Sequence, residues 1–215
     1  MTPARGRFVV LEGIDGCGKT TQLQALMQWL PSSGLLPPGS AVLQTREPGG
    51  TALGQALRQL LLHPPEAADP CSVAELLMYA ADRAQHVERV IRPALERGDW
   101  VVSDRFAGST LAYQGYGRQL DRHLIAQLEH IATGGLNADA TLWLQLPLQR
   151  SLARRAGQTN DRIEAAGQAF LQRVCDGFAA LAAERQWCTI DADQPAPAVT
   201  AQIRRRLSAV FAQND

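Results

Sequence analysis

Between residues 11 and 24 the chain reads "LEGIDGCGKTTQLQ", an apolar run broken by glycines and resumed as a good helix former. Glycine costs backbone entropy and weakens strand and helix alike, so packing does not ask for it here. The spacing is G-x-x-x-x-G-K-[ST], with Gly13, Gly18, Lys19 and Thr20 in the four defined places. "RFVVLE" before it reads as a short buried strand, and "KTTQLQALMQWL" after it reads as a helix stopped by Pro31. A glycine-rich turn with a stray lysine would share the glycines but would not require these flanks. Strand, loop and helix together make a phosphate cradle. Loop N–H groups and the positive end of the helix face phosphate oxygens. Lys19 reaches the β/γ-phosphates, and the Thr20 hydroxyl is placed for Mg²⁺. On this reading the nucleotide-binding residues are Gly13, Ile14, Asp15, Gly16, Cys17, Gly18, Lys19, Thr20 and Thr21. The loop names a nucleoside triphosphate without saying what is done with it.

The rest of the chain supplies the frame. Apolar runs suited to buried strands recur at 8–12, 41–45, 100–104, 141–146 and 187–191, with helical patterns between them. That alternation predicts a parallel sheet covered by helices on both faces. With 215 residues, 46% of them hydrophobic, one α/β domain is expected over 1–215. Lys plus Arg and Asp plus Glu are both 21, which disfavours a polyanion such as duplex DNA held by bulk charge. The four cysteines form no C-x-x-C pair, so free thiols and a cytoplasmic location are expected. The start of the chain has too short an apolar stretch for a signal peptide or a membrane span. Cys17 lies at a helix N-terminus, which predicts a lowered thiol pKa. Lys19, on a loop, is expected to be exposed.

In a parallel sheet ligands bind beyond the carboxyl ends of the strands. Arg46 follows the second strand in "TREPGGT" and Arg105 follows the third in "DRFAGSTLAYQGYGR". Both guanidiniums could converge on one phosphate, although a surface salt bridge serves either arginine singly as well. Asp104 sits where a carboxylate can hold a magnesium shell, or cap the next helix. The segment 72–95 opens with Ser72 and Glu75 at capping-box spacing. Tyr79 and Arg83, four apart, share a helix face. They could stack on and hydrogen-bond a nucleobase. Helical spacing alone favours a half-buried aromatic beside a solvated arginine.

Five segments in order, "EGIDGCGKTT", "TREPGGT", "LLMYAADRAQHVE", "SDRFAGSTLAYQGYGR" and "NDRIE", resemble the bacterial thymidylate kinases over nearly the whole chain. "TREPGGT" and the D-R…S-T-x-A-Y-Q block are the most specific of them. The resemblance implies the P-loop nucleoside-monophosphate-kinase fold: α/β, a five-stranded parallel sheet flanked by helices on both faces, with a short lid at about 150–162. It implies transfer of a phosphoryl group from ATP to dTMP with Mg²⁺, on the way to dTTP for DNA replication, in a homodimer. For dTMP it implies that Arg46 and Arg105 hold the phosphate and that Tyr79 stacks on thymine, with Arg83 at a base carbonyl. Thr110 and Gln114 would lie beside the base, and Tyr113 beside the sugar C2′. Asp15 would meet the acceptor or a magnesium water, with Thr20 and Asp104 as the metal-side residues. Residue 16 is Gly where some members carry Arg, which implies that catalytic arginines come from the lid, "RSLARRAGQTNDRIE". Arg155 and Arg162 are the candidates to act with Asp15, Lys19 and Arg105, and Arg154 is expected to be a bystander. No N-K-x-D is present to read guanine, which disfavours a GTPase. A kinase acting on a neutral nucleoside would not need two arginines at a phosphate. A non-catalytic nucleotide-binding module would have lost Lys19, Asp15 or the lid arginines.

Overall fold

The computed structural model describes residues 5–66, 68–157 and 161–212. Five strands, β1 (Phe8–Glu12), β2 (Val42–Arg46), β3 (Trp100–Asp104), β4 (Ala140–Gln145) and β5 (Cys188–Asp191), form one sheet in the order β2-β3-β1-β4-β5. Every adjacent pair is parallel. All five runs read from hydropathy are strands, with ends displaced by no more than a residue. All five residues of β1 are buried, as a central strand covered on both faces requires.

Helices make the two covers. On one face Val9, Leu11, Val102, Leu142 and Leu144 pack with apolar side chains of α1 (Lys19–Trp29), α8 (Gln168–Glu184) and α9 (Ala196–Ala212). On the other, Phe8, Val10 and Val101 meet Val87, Ile91, Ala94 and Leu95. Each fully buried Leu, Ile, Val or Phe contributes roughly 1.5–3 kcal/mol of apolar transfer. α2 (Ala52–Leu62), α3 (Ser72–His86) and α6 (Arg122–Thr133) lie side by side. A short α7 (Leu148–Arg154) follows β4.

The helix expected over 72–95 is α3, a π-helical turn at Val87–Ile91 and α4 (Arg92–Glu96). Pro93, in the first turn of α4, has no N–H to give, and the wider turn before it absorbs that loss. A second π-helical turn, Leu111–Gly117, extends α5 (Ala107–Thr110) and carries Tyr113 and Gln114. The capping box is not made. Cys71 is the N-cap of α3, no side chain caps it, and Glu75 turns inward to other partners. Among the described residues no helix is long and apolar enough to cross a membrane.

Register fixes the site. Arg46 and Leu11 both stand opposite Asp104, and Glu12 stands opposite Trp143. The carboxyl ends of β2, β3, β1 and β4 therefore form one row, with the phosphate loop springing from its middle. β1 lies between β3 and β4, at the point where strand order reverses and a crevice opens.

Candidate active site

The phosphate loop folds over its own lysine. Gly18 takes a left-handed φ of 98° as it enters α1, a conformation that suits glycine. Lys19 Nζ donates to the carbonyls of Gly13 at 3.0 Å and Ile14 at 3.1 Å, and lies 3.6 Å from Asp15 Oδ1. The side chain is thus 6% exposed, which corrects the expectation of an exposed lysine: carbonyls of the loop itself take up the ammonium. Cys17 is corrected as well. Its thiol is buried, and desolvation pushes its pKa up despite the nearby Lys19 and Arg105. The helix terminus does not make it reactive.

Clamping the loop from the β4 side is α7. Ser151 Oγ donates to the Asp15 carbonyl at 2.7 Å. Arg154 donates to the carbonyls of Gly16 at 3.4 Å and Ala192 at 2.9 Å, so it braces the loop while bordering the same pocket. At Gly16, φ is 77° and an added Cβ would come within 3.1 Å of Arg155 Cγ and 3.2 Å of the Ser151 carbonyl. Arg155 lies across the place a side chain at 16 would need. Its guanidinium pairs with Glu164, its Nε is buried without a partner among the described residues, and it borders the pocket with Lys19 and Thr20. Arg162 is elsewhere. Its side chain donates to the Leu61 carbonyl at 2.8 Å and to Glu75, and lies 3.4 Å from Asp69. The structure does not bring it into the phosphate pocket. Of the "AGQTN" stretch of the lid, residues 158–160 lie outside the described residues.

Thr20 and Asp104 border the same pocket, and Asp104 Oδ1 is buried with no hydrogen-bond partner among the described residues. One hydroxyl and one orphaned carboxylate oxygen suit Mg²⁺, which keeps several waters and uses phosphate oxygens as ligands. Among the described residues no group of three or more His, Cys, Asp or Glu could hold a metal by protein alone. Asp104 does not cap the following helix. That work falls to Glu12, whose Oε1 accepts the N–H groups of Phe106 and Ser109 at 3.0 Å each and whose Oε2 accepts Ser109 Oγ at 2.6 Å. Glu12 is fully buried. Sequence reasoning missed it because its partners, Phe106 and Ser109, lie more than ninety residues along the chain.

Beside the phosphate pocket opens a second cavity with Asp15 and Arg105 in its wall too. Arg105 is left-handed at φ 73°, costly for a residue with a side chain. Its N–H to the Leu11 carbonyl (2.9 Å) and its own carbonyl, accepting Ser103 Oγ (2.7 Å), hold it there. The guanidinium donates to Asp15 Oδ1 at 2.6 Å, Ser109 Oγ at 3.0 Å and the Gly13 carbonyl at 3.0 Å. Tyr113 OH donates to Asp15 Oδ2 at 3.1 Å, and Arg105 stacks 5.2 Å over the tyrosine ring. Burial alone would raise the Asp15 carboxyl, but Arg105 and Lys19 outweigh it and hold the group well below the usual carboxylate range. Desolvation pushes the Tyr113 phenol well up, so it stays a donor.

Arg46 is exposed, its side chain makes no hydrogen bond or ion pair among the described residues, and it borders the phosphate pocket with Arg105. The pair expected to meet at one phosphate does share one pocket. Arg58, in mid-α2, lines both pockets, and its Nη1 donates to the Pro48 carbonyl at 3.1 Å. Burial and the neighbouring Arg46 pull its pKa down. Nothing in the sequence marked Arg58, since only the fold brings α2 across the strand ends.

Tyr79 and Arg83 both line the second cavity. The solvated arginine of the helical-spacing reading is wrong: Arg83 is 2% exposed. Its Nε donates to Glu47 at 2.9 Å and its Nη2 to Thr110 Oγ1 at 2.9 Å, and it lies 5.4 Å over the Phe106 ring. Glu47 also takes His86 Nδ1 at 2.9 Å. It was legible only as a letter of "TREPGGT". Burial, with Glu75 nearby, raises the Tyr79 phenol. Gln114 completes the wall, its Nε2 donating to Glu75 at 2.7 Å.

A phosphate cradle and an aromatic- and arginine-lined cavity thus share one seam. Residues 11–203 match the family model described as thymidylate kinase. A thymidylate kinase of Synechococcus sp. (strain CC9605) is 66% identical over 94% of this chain and 97% of its own. That of Prochlorococcus marinus (strain MIT 9313) is 63% identical over 96% and 95%. The crystal structure of thymidylate kinase from Ehrlichia chaffeensis superposes with a TM-score of 0.74 at 32% identity, covering 94% of this chain and 99% of that one. On sequence and structure together, the chain belongs to the thymidylate kinase family.

Proposed function

We propose that the family's reaction, phosphorylation of dTMP to dTDP by ATP, runs across the Asp15–Arg105–Tyr113 seam. The observation that carries this assignment is the pair of adjoining pockets with Asp15 and Arg105 in both walls. ATP lies along the phosphate loop, its phosphates against the loop N–H groups, Lys19 and Thr20. The thymine sits in the second cavity against Tyr79 and Arg83, and the dTMP phosphate meets Arg46, Arg105 and Arg58. Phosphoryl transfer needs in-line positioning and charge neutralisation more than covalent help. Asp15 keeps Arg105 aimed between the pockets, Arg155 reaches the charge over Gly16, and the lid excludes water. Thr20 and Asp104 would hold Mg²⁺, which when bound would supply charge neutralisation to the phosphates. The chain acts as one unit of this fold. A reducing cytoplasm suits its four unpaired cysteines.

A crystal structure with dTMP and a non-hydrolysable ATP analogue tests the assignment; thymine anywhere but against Tyr79 overturns it. For the metal, Asp104→Asn keeps the shape and removes the carboxylate charge. We expect the Mg²⁺ concentration for half-maximal rate to rise by about tenfold or more, as for loss of a charged ligand. The dTMP KM at saturating metal should stay unchanged. An unaltered metal dependence removes Asp104 from that role.

A further inference from the structure

Glu75 is a carboxylate in the first turn of α3 with none of its surface exposed and no capping bond to explain it. Its Oε1 accepts Gln114 Nε2 at 2.7 Å and Arg118 Nε at 3.3 Å. Its Oε2 accepts Arg118 Nη2 at 3.0 Å and a bond from Arg162 Nη2. One side chain thus joins α3, the Leu111–Gly117 turn and the end of the lid. The Arg162 backbone is tied in turn to the Leu62 carbonyl at 3.2 Å, and Leu62, Asp161 and Ile163 are all cavity walls.

An ionised carboxylate only accepts hydrogen bonds. Gln114 must therefore turn its NH₂ to Glu75, which leaves its carbonyl oxygen to the cavity that it lines. An acceptor at that wall suits a base edge that offers an N–H, such as the imide N3–H of thymine. It opposes cytosine, whose N3 is itself an acceptor. A site whose buried polar group is left unpaired by the wrong base discriminates strongly.

We propose that Glu75 is the positioning residue for base selection: by fixing the Gln114 amide with its oxygen inward, it makes the cavity prefer a pyrimidine with N3–H over cytosine. This rests on the seating of the acceptor base in that cavity. Arg118 and Arg162, on the other lone pairs, keep the carboxylate from rotating away.

The test compares Glu75→Gln, Gln114→Met and the double variant with wild type, reading KM and kcat for dTMP and the inhibition constant of dCMP. A glutamine at 75 presents either polarity and frees the Gln114 amide to flip. The ratio of dCMP inhibition constant to dTMP KM should fall at least about tenfold, with kcat moving less, the size expected for one buried hydrogen bond to a charged group. Gln114→Met should lower the ratio comparably, and Glu75→Gln on top of it should change it by no more than about twofold, as for two residues acting through one contact. If Glu75→Gln fails to fold, Glu75→Gln/Arg118→Met removes one buried charge of each sign and should show the same fall. Glu75 variants that lose thermal stability but keep the wild-type ratio, while Gln114→Met changes it, overturn the role of Glu75 alone. Gln114→Met leaving both dTMP KM and the ratio unchanged overturns the seating of the base, and this proposal with it.

Discussion

Tyr113 shows how one side chain serves two purposes. Its ring packs at 6.0 Å from Phe178, while its hydroxyl holds Asp15. If the ring crowds the sugar C2′, Tyr113→Ala should improve use of the ribonucleotide relative to dTMP, and Tyr113→Phe should not, because the ring remains. Tyr113→Phe should instead lower kcat/KM for both acceptors together by about tenfold, the size of one lost hydrogen bond to a charged group. Ratios of kcat/KM for the two nucleotides check both statements; an equal ratio in wild type and Tyr113→Ala removes the steric role. At this scale the motif residues were legible, because glycine, lysine and arginine at fixed spacing carry their chemistry wherever they fold. Their burial was not. Lys19, Cys17 and Arg83 were misjudged because exposure depends on side chains distant in sequence.

Elements set which arginine reaches the phosphates. α7 lays Arg155 over Gly16, while the bonds of Arg162 to Leu61 and Glu75 hold it to α2 and α3. Arg155→Met is therefore expected to lower kcat by about a hundredfold or more, with dTMP KM nearly unchanged, as for a cation acting in the transition state. Steady-state kinetics check it, and a kcat within a few-fold of wild type would make the lid a cover. The α3–α6 contact buries a second feature. Glu129 on α6 is pushed up to about 7, chiefly by burial, with Arg83 and Arg185 opposing and Glu12 and Glu47 reinforcing. Its native pKa lies above the ordinary 4.5, so the folded state binds the extra proton between those values. This contribution is intact below about pH 4.5 and is lost as pH rises through 7, up to about 3 kcal/mol for this group. Glu129→Gln should then stabilise the protein at pH 8 and lose that advantage towards pH 4.5. Urea unfolding across that range reads it; a pH-independent difference refutes it.

At the scale of the whole molecule the row α2–α3–α6 leaves an apolar outer face. Leu53 and Leu60 on α2, Val73 and Leu77 on α3, and Leu124 and Ile131 on α6 are exposed, Ile131 by 76%. Exposed large apolar side chains gathered on three neighbouring helices are of the kind that marks an interface. A second copy is the occupant proposed for it, since an isologous twofold contact needs one self-complementary face. The double variant Leu77→Lys/Ile131→Asp should convert the assembly from twice 23.3 kDa to a 23.3 kDa monomer, as sedimentation would show. A wild-type chain that sediments as a monomer at micromolar concentration refutes the dimer.

The sequence by itself determined the parallel sheet, its five strands, the phosphate loop and the segments that face it. Each is written in local terms: apolar runs of strand length, glycine where φ turns positive, a lysine and a hydroxyl at fixed spacing. Only the tertiary structure decided which charges meet. Glu75 sits at capping distance from Ser72 along the chain, yet binds Gln114, Arg118 and Arg162, because burying a carboxylate demands donors and these three arrive from other elements. The same demand ties Arg83 to Glu47 and Ser109 to Glu12. Desolvation depends on every element packed around a group, and no stretch of sequence contains that list.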